Sequence, residues 1–216
     1  MRFRGAIFDV DGTLLDSMHL WTDFGANYLR SRGIEPKPGL KDILRPMTMQ
    51  QSAEHFQTEY GMTDTVEELA AGVNAMLEQQ YGHVVLPKPG ISELLQLLRQ
   101  QGVRMAIATA TDRPLVEAAL RRCGMWEYFD AVFTCTEVGV GKTKPDIYLR
   151  SAEALGTAVS ETAVFEDAVH AIHTAKTAGF PVVAIYDDSM APWQDDIRKE
   201  ADIYVTDWHQ ALPLLK

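Results

Sequence analysis

The sequence predicts an α/β fold: a parallel sheet covered by helices on both faces, with a small α-helical cap inserted after the first strand. Three observations predict it. An apolar stretch from Arg4 to Val10 stops at an Asp-Val-Asp-Gly turn, as a buried strand does when it reaches the edge of a sheet. From about Asp16 to Gln80 the apolar residues recur at helical spacing and no strand pattern interrupts them. Beyond Leu86, short continuously apolar strands alternate with helical segments, the pattern of a parallel sheet buried on both sides.

The insertion begins with an amphipathic segment through Leu20, Phe24, Asn27 and Tyr28 that ends at Gly33. Two further helices are expected around Gln50 to Tyr60 and Thr65 to Tyr81. Pro87 and Pro89 stiffen the return to the core. The alternation then runs helix Ile91 to Gln101, strand Val103 to Ala108, helix Pro114 to Cys123 and strand Ala131 to Phe133. Helix Pro145 to Leu155, strand Ala163 to Phe165, helix Ala168 to Ala178 and strand Pro181 to Ile185 follow. A last unit comprises strand Ile203 to Val205 and a helix beginning near Asp207. The expected division is a catalytic core of residues 1–16 and 86–216 and a cap of residues 17–85.

The chain has 216 residues, enough for one substantial core and a small accessory lobe. Its 30 acidic against 20 basic residues give a net charge of −10, which repels nucleic-acid phosphate and anionic membrane. Neither partner is expected. The apolar run near the N-terminus is broken by Asp9 and Asp11, too early for a signal peptide or a membrane span. Cys123 and Cys135 lack the paired spacing of a zinc or redox motif and read as reduced structural thiols. A cytoplasmic monomer is the expectation.

In open parallel sheets, ligands bind beyond the carboxyl ends of the strands, and the chemistry-bearing residues of this chain collect there. Asp9 and Asp11 precede Gly12 and Thr13 after the first strand; Glu166 and Asp167 follow another. Carboxylates this close repel one another and resist burial, so a cation should compensate them. Oxygen ligands alone favour Mg²⁺ over zinc. Thr109 and Lys142 also follow apolar stretches.

Phe8-Asp9-Val10-Asp11-Gly12-Thr13-Leu14 resembles the first motif of the haloacid dehalogenase superfamily of phosphatases and phosphomutases. Thr109, then Lys142 within Gly-Lys-Thr-Lys-Pro-Asp-Ile-Tyr, then Phe165-Glu166-Asp167 resemble its later motifs in order. The resemblance implies a Rossmann-like core in which Asp9 attacks phosphorus to form an aspartyl-phosphate and Asp11 acts as general acid and base. It further implies that Thr109, Ala110, Gly12 and Lys142 contact the phosphoryl group. Mg²⁺ would be held by Asp9, the backbone carbonyl of Asp11, Asp167 and Glu166, and the substrate would be a small phosphorylated metabolite.

Several readings stay open at this point. Thr109 and Thr111 could both be plain strand residues. Lys144 competes with Lys142, because Thr143 stands where the family usually has a proline. Asp146 suits a helix cap or a supporting contact, and Asp16, Asp187, Asp188 and Asp202 suit a solvated face. Within the cap, Arg45 and Lys41 are candidates for a second anionic group, and His19, Trp21, Met47 and Met49 for the cleft lining. The cap also resembles that of β-phosphoglucomutases. Trp21 and Met49, however, stand where those enzymes have a histidine and a phosphate-binding arginine, which favours a hydrolase over a mutase. A phosphometabolite-binding protein without catalysis is the third reading, and the complete set Asp9, Asp11, Thr109, Lys142 and Asp167 argues against it. The Gly-Lys-Thr at 141–143 also ends like a P-loop, but Thr136 occupies the place of the required first glycine and Pro145 follows too closely.

Overall fold

The first strand, β1 (Gly5–Phe8), is buried along its whole length because it lies inside a parallel sheet of order β3-β2-β1-β4-β5-β6. This computed structural model describes residues 3–21 and 23–215. Among them, β1 is followed by α1 (Met18–Trp21), α2 (Phe24–Ser31), α3 (Leu40–Leu44), α4 (Met49–Tyr60) and α5 (Val66–His83). The core resumes with α6 (Ile91–Gln100), β2 (Arg104–Thr109), α7 (Arg113–Arg122), β3 (Ala131–Thr134), α8 (Cys135–Val138) and α9 (Asp146–Leu155). It closes with β4 (Thr162–Glu166), α10 (Val169–Thr177), β5 (Val182–Ile185), α11 (Gln194–Glu200) and β6 (Ile203–Val205).

Side-chain alternation divides the interior. Ala6 and Phe8 of β1 and Ala163 and Phe165 of β4 join the apolar cluster that extends into the cap, α6 and α7. Ile7 and Val164 point the other way, into a cluster with α9, α10 and α11. Phe8 and Phe165 are register partners, and their rings stack at 4.2 Å. Each fully buried side chain of this size contributes about 1.5–3 kcal/mol, so slipping β1 by one residue would forfeit both clusters together.

The helices of the insertion start where their sequence instructs. Thr48 with Gln51, and Thr65 with Glu68, form reciprocal capping boxes at the starts of α4 and α5. The two connections to the core run side by side: Asp16 N–H donates to the Leu86 carbonyl and Lys88 N–H to the Leu14 carbonyl, each at 2.9 Å.

Four departures from the sequence reading have physical reasons. The segment after Asp207 forms only a 3-10 turn at Trp208–Gln210 rather than a helix, since Pro213 lacks the N–H that would carry a longer one on. The short α3 and α8 fall below the length at which apolar periodicity is legible. A 3-10 stretch, Asp188–Trp193, and α11 fill the span between β5 and β6, where the sequence pattern predicts no element. Asp187 does not lie on a solvated face: it is buried and pairs with Lys88 at 2.6 Å.

Candidate active site

Strand register brings the acidic residues together. Phe8 is level with Phe165, and Asp9 N–H donates to the Phe165 carbonyl at 3.0 Å, so Asp9 leaves β1 beside Glu166 and Asp167 at the end of β4. In this strand order the chain turns to opposite sides between β1 and β4, the switch point at which such sheets bind ligands. Ligand oxygens of Asp9, Glu166 and Asp167 lie within 4.8 Å of one another. All three residues are buried, Asp9 at 7% and Asp167 at 2% exposure.

Lys142 is the cation that reaches them. A turn over Gly141 to Lys144 carries it inward, and its ammonium donates to Asp9 Oδ1 and, at 2.6 Å, to Glu166 Oε1. Lys144 points to solvent. Glu166 is itself held in place: Tyr148 Oη donates to Oε1, and the backbone N–H groups of Asp167 and Ala168 donate to Oε2. Burial alone would lower the Lys142 ammonium, but Asp9 and Glu166 outweigh it and hold it well above its usual value. Burial pushes Asp9 up to about 8, with Glu166 and Asp11 adding to the shift and Lys142 opposing it. Asp167 is raised well above the usual range by burial and then by Glu166 and Asp9.

One ammonium thus faces three carboxylates, and that imbalance fits a divalent cation. Asp167 Oδ1 accepts from Thr13 Oγ1 at 3.4 Å, whereas Oδ2 is buried with no hydrogen-bond partner among the described residues. Leaving such an oxygen bare is costly unless a ligand completes it. Gly12 keeps the space open: at φ +84°, a Cβ on it would lie 2.5 Å from Asp167 Oδ2. An all-oxygen set with a bare carboxylate suits Mg²⁺.

The crowding has a consequence for stability. Asp9 and Asp167 hold protons more tightly in the folded chain than in the unfolded one. Their contribution is therefore complete below the unfolded value of 3.8 and is lost as pH rises, through about 8 for Asp9. Asp64, Glu59 and Glu137 are held low by Arg32, Lys37 and Arg113, and act in the opposite sense only at the acid end. Urea midpoints of the metal-free protein should fall between about pH 6.5 and pH 8, above the range in which His170, lowered by burial, opposes the trend, and saturating Mg²⁺ should flatten that slope. A metal-free profile that rises across this window would refute the assignment.

Asp11 projects from the turn after β1 and is bound by hydroxyl donors from three parts of the chain. Ser17 Oγ donates to Oδ1 at 2.5 Å, Thr111 Oγ1 to Oδ2 at 2.6 Å, and Tyr81 Oη of α5 also to Oδ1. Trp21 Nε1–H donates to Tyr81 Oη at 2.7 Å, which commits the one Tyr81 proton to Asp11. Thr109 ends β2, fully buried, and its Oγ1 accepts from Thr111 N–H at 3.0 Å.

A cavity of about 210 Å³ opens above this floor. Asp9, Asp11, Ala110, Thr111, Lys142 and Asp167 line its base, and cap residues including Trp21, Met47 and Met49 line its roof. His19 is exposed and is not among the lining residues. Arg45 and Lys41 border the cavity, but Arg45 is already bonded to Asp42 at 2.9 Å and stacked on Trp193 at 4.4 Å. Asp146 is exposed in the first turn of α9 and makes no side-chain cap. Cys123 and Cys135 are free thiols, and burial pushes Cys135 up to about 11, as expected of structural cysteines.

Tyr81, Ser17, Tyr148 and His170 carry contacts or cavity positions that sequence reading missed. The profile of the haloacid dehalogenase-like hydrolase family matches residues 3–179. The chain belongs to that family. Two relatives are similar over most of their length. Validoxylamine A 7'-phosphate phosphatase of Streptomyces hygroscopicus subsp. limoneus is 32% identical, with 85% of each chain covered. Hexitol phosphatase A of Escherichia coli K12 is 31% identical, covering 86% of this chain and 84% of its own. Among solved structures, CbbY from Rhodobacter sphaeroides in complex with xylulose-(1,5)bisphosphate superposes with a TM-score of 0.83 over 95% of both chains. At 20% identity it supports the shared fold. Within this hydrolase family, a helical cap over a parallel sheet is the architecture of the chain.

Proposed function

We propose that this hydrolase is a Mg²⁺-dependent phosphoric monoester hydrolase that acts in the cytoplasm on a small phosphorylated metabolite through an aspartyl-phosphate on Asp9. The observation that carries the reading is the buried meeting of Asp9, Lys142 and Asp167, with a bare Asp167 oxygen and with Asp11 two residues from the nucleophile. A purely structural cluster would have no reason to leave that oxygen unpaired.

An Asp9 carboxylate oxygen attacks phosphorus while the ester oxygen departs, taking its proton from Asp11. In the second half, Asp11 takes a proton from the water that attacks the aspartyl-phosphate, releasing inorganic phosphate and restoring Asp9. Lys142 offsets charge on the nucleophile and the phosphoryl oxygens, and Thr109, Ala110 and Gly12 would contact those oxygens, Ala110 from the cavity lining. Asp9, the Asp11 carbonyl and Asp167, with Glu166 beside them, would hold Mg²⁺, which would supply most of the charge neutralisation. Residues 17–85 act as the cap that excludes bulk water.

The relatives' named substrates make hexitol and other sugar phosphates the first compounds to try. Mg²⁺-dependent phosphate release from a panel of such esters, lost on chelation by at least about a hundredfold, is the expected result. Conversion of β-glucose 1-phosphate to glucose 6-phosphate without release would replace the hydrolase with a mutase.

A further inference from the structure

Beyond the reacting end, the roof and walls of the cavity are formed by Trp21, Phe24, Leu44, Met47, Met49 and Met190. The polar side chains there stand apart from one another, with Asp23 and Lys41 at exposed positions. Arg45 is bonded to Asp42 and stacked on Trp193, and Ser52 and His170 are single groups on separate helices. Ser189 Oγ is buried with no partner among the described residues, and Ser189 lines the cavity. A polyol chain would have to bury several hydroxyls against thioether and aromatic carbon. Each one left unpaired would lose roughly an order of magnitude in affinity. A hydrocarbon ring loses nothing there, and flexible methionines adapt to its outline.

We infer that the preferred substrate is a phosphomonoester whose body is an alicyclic or aromatic ring, with one hydrogen-bonding substituent that Ser189 completes. This rests on the phosphatase reading and narrows its substrate class. It sets the specificity of this chain apart from the hexitol named for its relative.

The test compares kcat/KM, with Mg²⁺ present, for cyclohexylmethyl and benzyl phosphates against sorbitol 6-phosphate and glucose 6-phosphate. Acetyl phosphate, which has almost no body, reports the reacting end alone. The expected result is a preference for the ring esters of at least about tenfold, expressed in KM. Met47→Gln, at a half-buried position of the roof, should narrow that ratio within a single protein preparation, so that its folded fraction cancels. Equal or better turnover of the polyol phosphates, with acetyl phosphate hydrolysed, would overturn the inference and leave the phosphatase standing. No release from any compound, acetyl phosphate included, would overturn both.

Discussion

Asp9→Asn is expected to reduce phosphate release by at least about four orders of magnitude, because an amide cannot serve as the nucleophile of the first displacement. The fold should survive the change. Asn has the same outline, and the substitution removes one of three mutually repelling carboxylates while Lys142 keeps Glu166 as a partner. Urea denaturation of the metal-free variant should therefore give a midpoint equal to or above that of the parent. Activity and stability thus move independently, which separates loss of chemistry from loss of structure. Near-normal turnover in a folded Asp9→Asn protein would remove Asp9 from its role.

Lys142→Met should fail in both respects. Met replaces the four-carbon stem of the side chain but leaves Asp9, Glu166 and Asp167 buried without a counter-charge. Breaking a buried pair in this way costs about 3–5 kcal/mol. In metal-free buffer the loss should appear in full, and saturating Mg²⁺ should recover part of it by mass action on the folded state. Turnover should fall by about a hundred- to a thousandfold, the usual effect of removing one preorganised charge from a transition state. Lys144→Met is the matched control: that side chain is exposed, so its stability should stay within about 0.5 kcal/mol of the parent. The reverse pattern would mean that the two lysines had been assigned the wrong way round.

The core was legible because its information is local. Each strand of the sheet carries an apolar run, and a pair of carboxylates stands at the end of two of them. Parallel register then makes sequence ends into spatial neighbours, so Asp9 could be placed beside Glu166 and Asp167 without coordinates. Lys142 could be favoured over Lys144 only by its spacing to Pro145 and Asp146, a family pattern rather than a physical one. Tyr81 gave no signal. It reads as one more apolar residue on α5, and its bond to Asp11 spans 70 positions. Asp187 is opaque for the same reason: its partner Lys88 lies 99 residues away, and an aspartate after a strand looks solvated until that partner is seen.

The place of β1 in the sheet has a further consequence, for how the chain acquires activity during synthesis. The first strand to leave the ribosome is an inner one, yet its neighbours start at Arg104 and Thr162. Until they emerge, both hydrogen-bonding edges of Gly5–Phe8 are bare, in a segment apolar enough to pair with another chain. The helices of the insertion must occupy that interval, and their apolar faces share a cluster with Phe8 and Val10. Pairings this distant in sequence make for slow folding and a long window for aggregation. Because Asp167 arrives with β4, long after Asp9, the proposed site stays incomplete and no turnover can begin until β4 has been made.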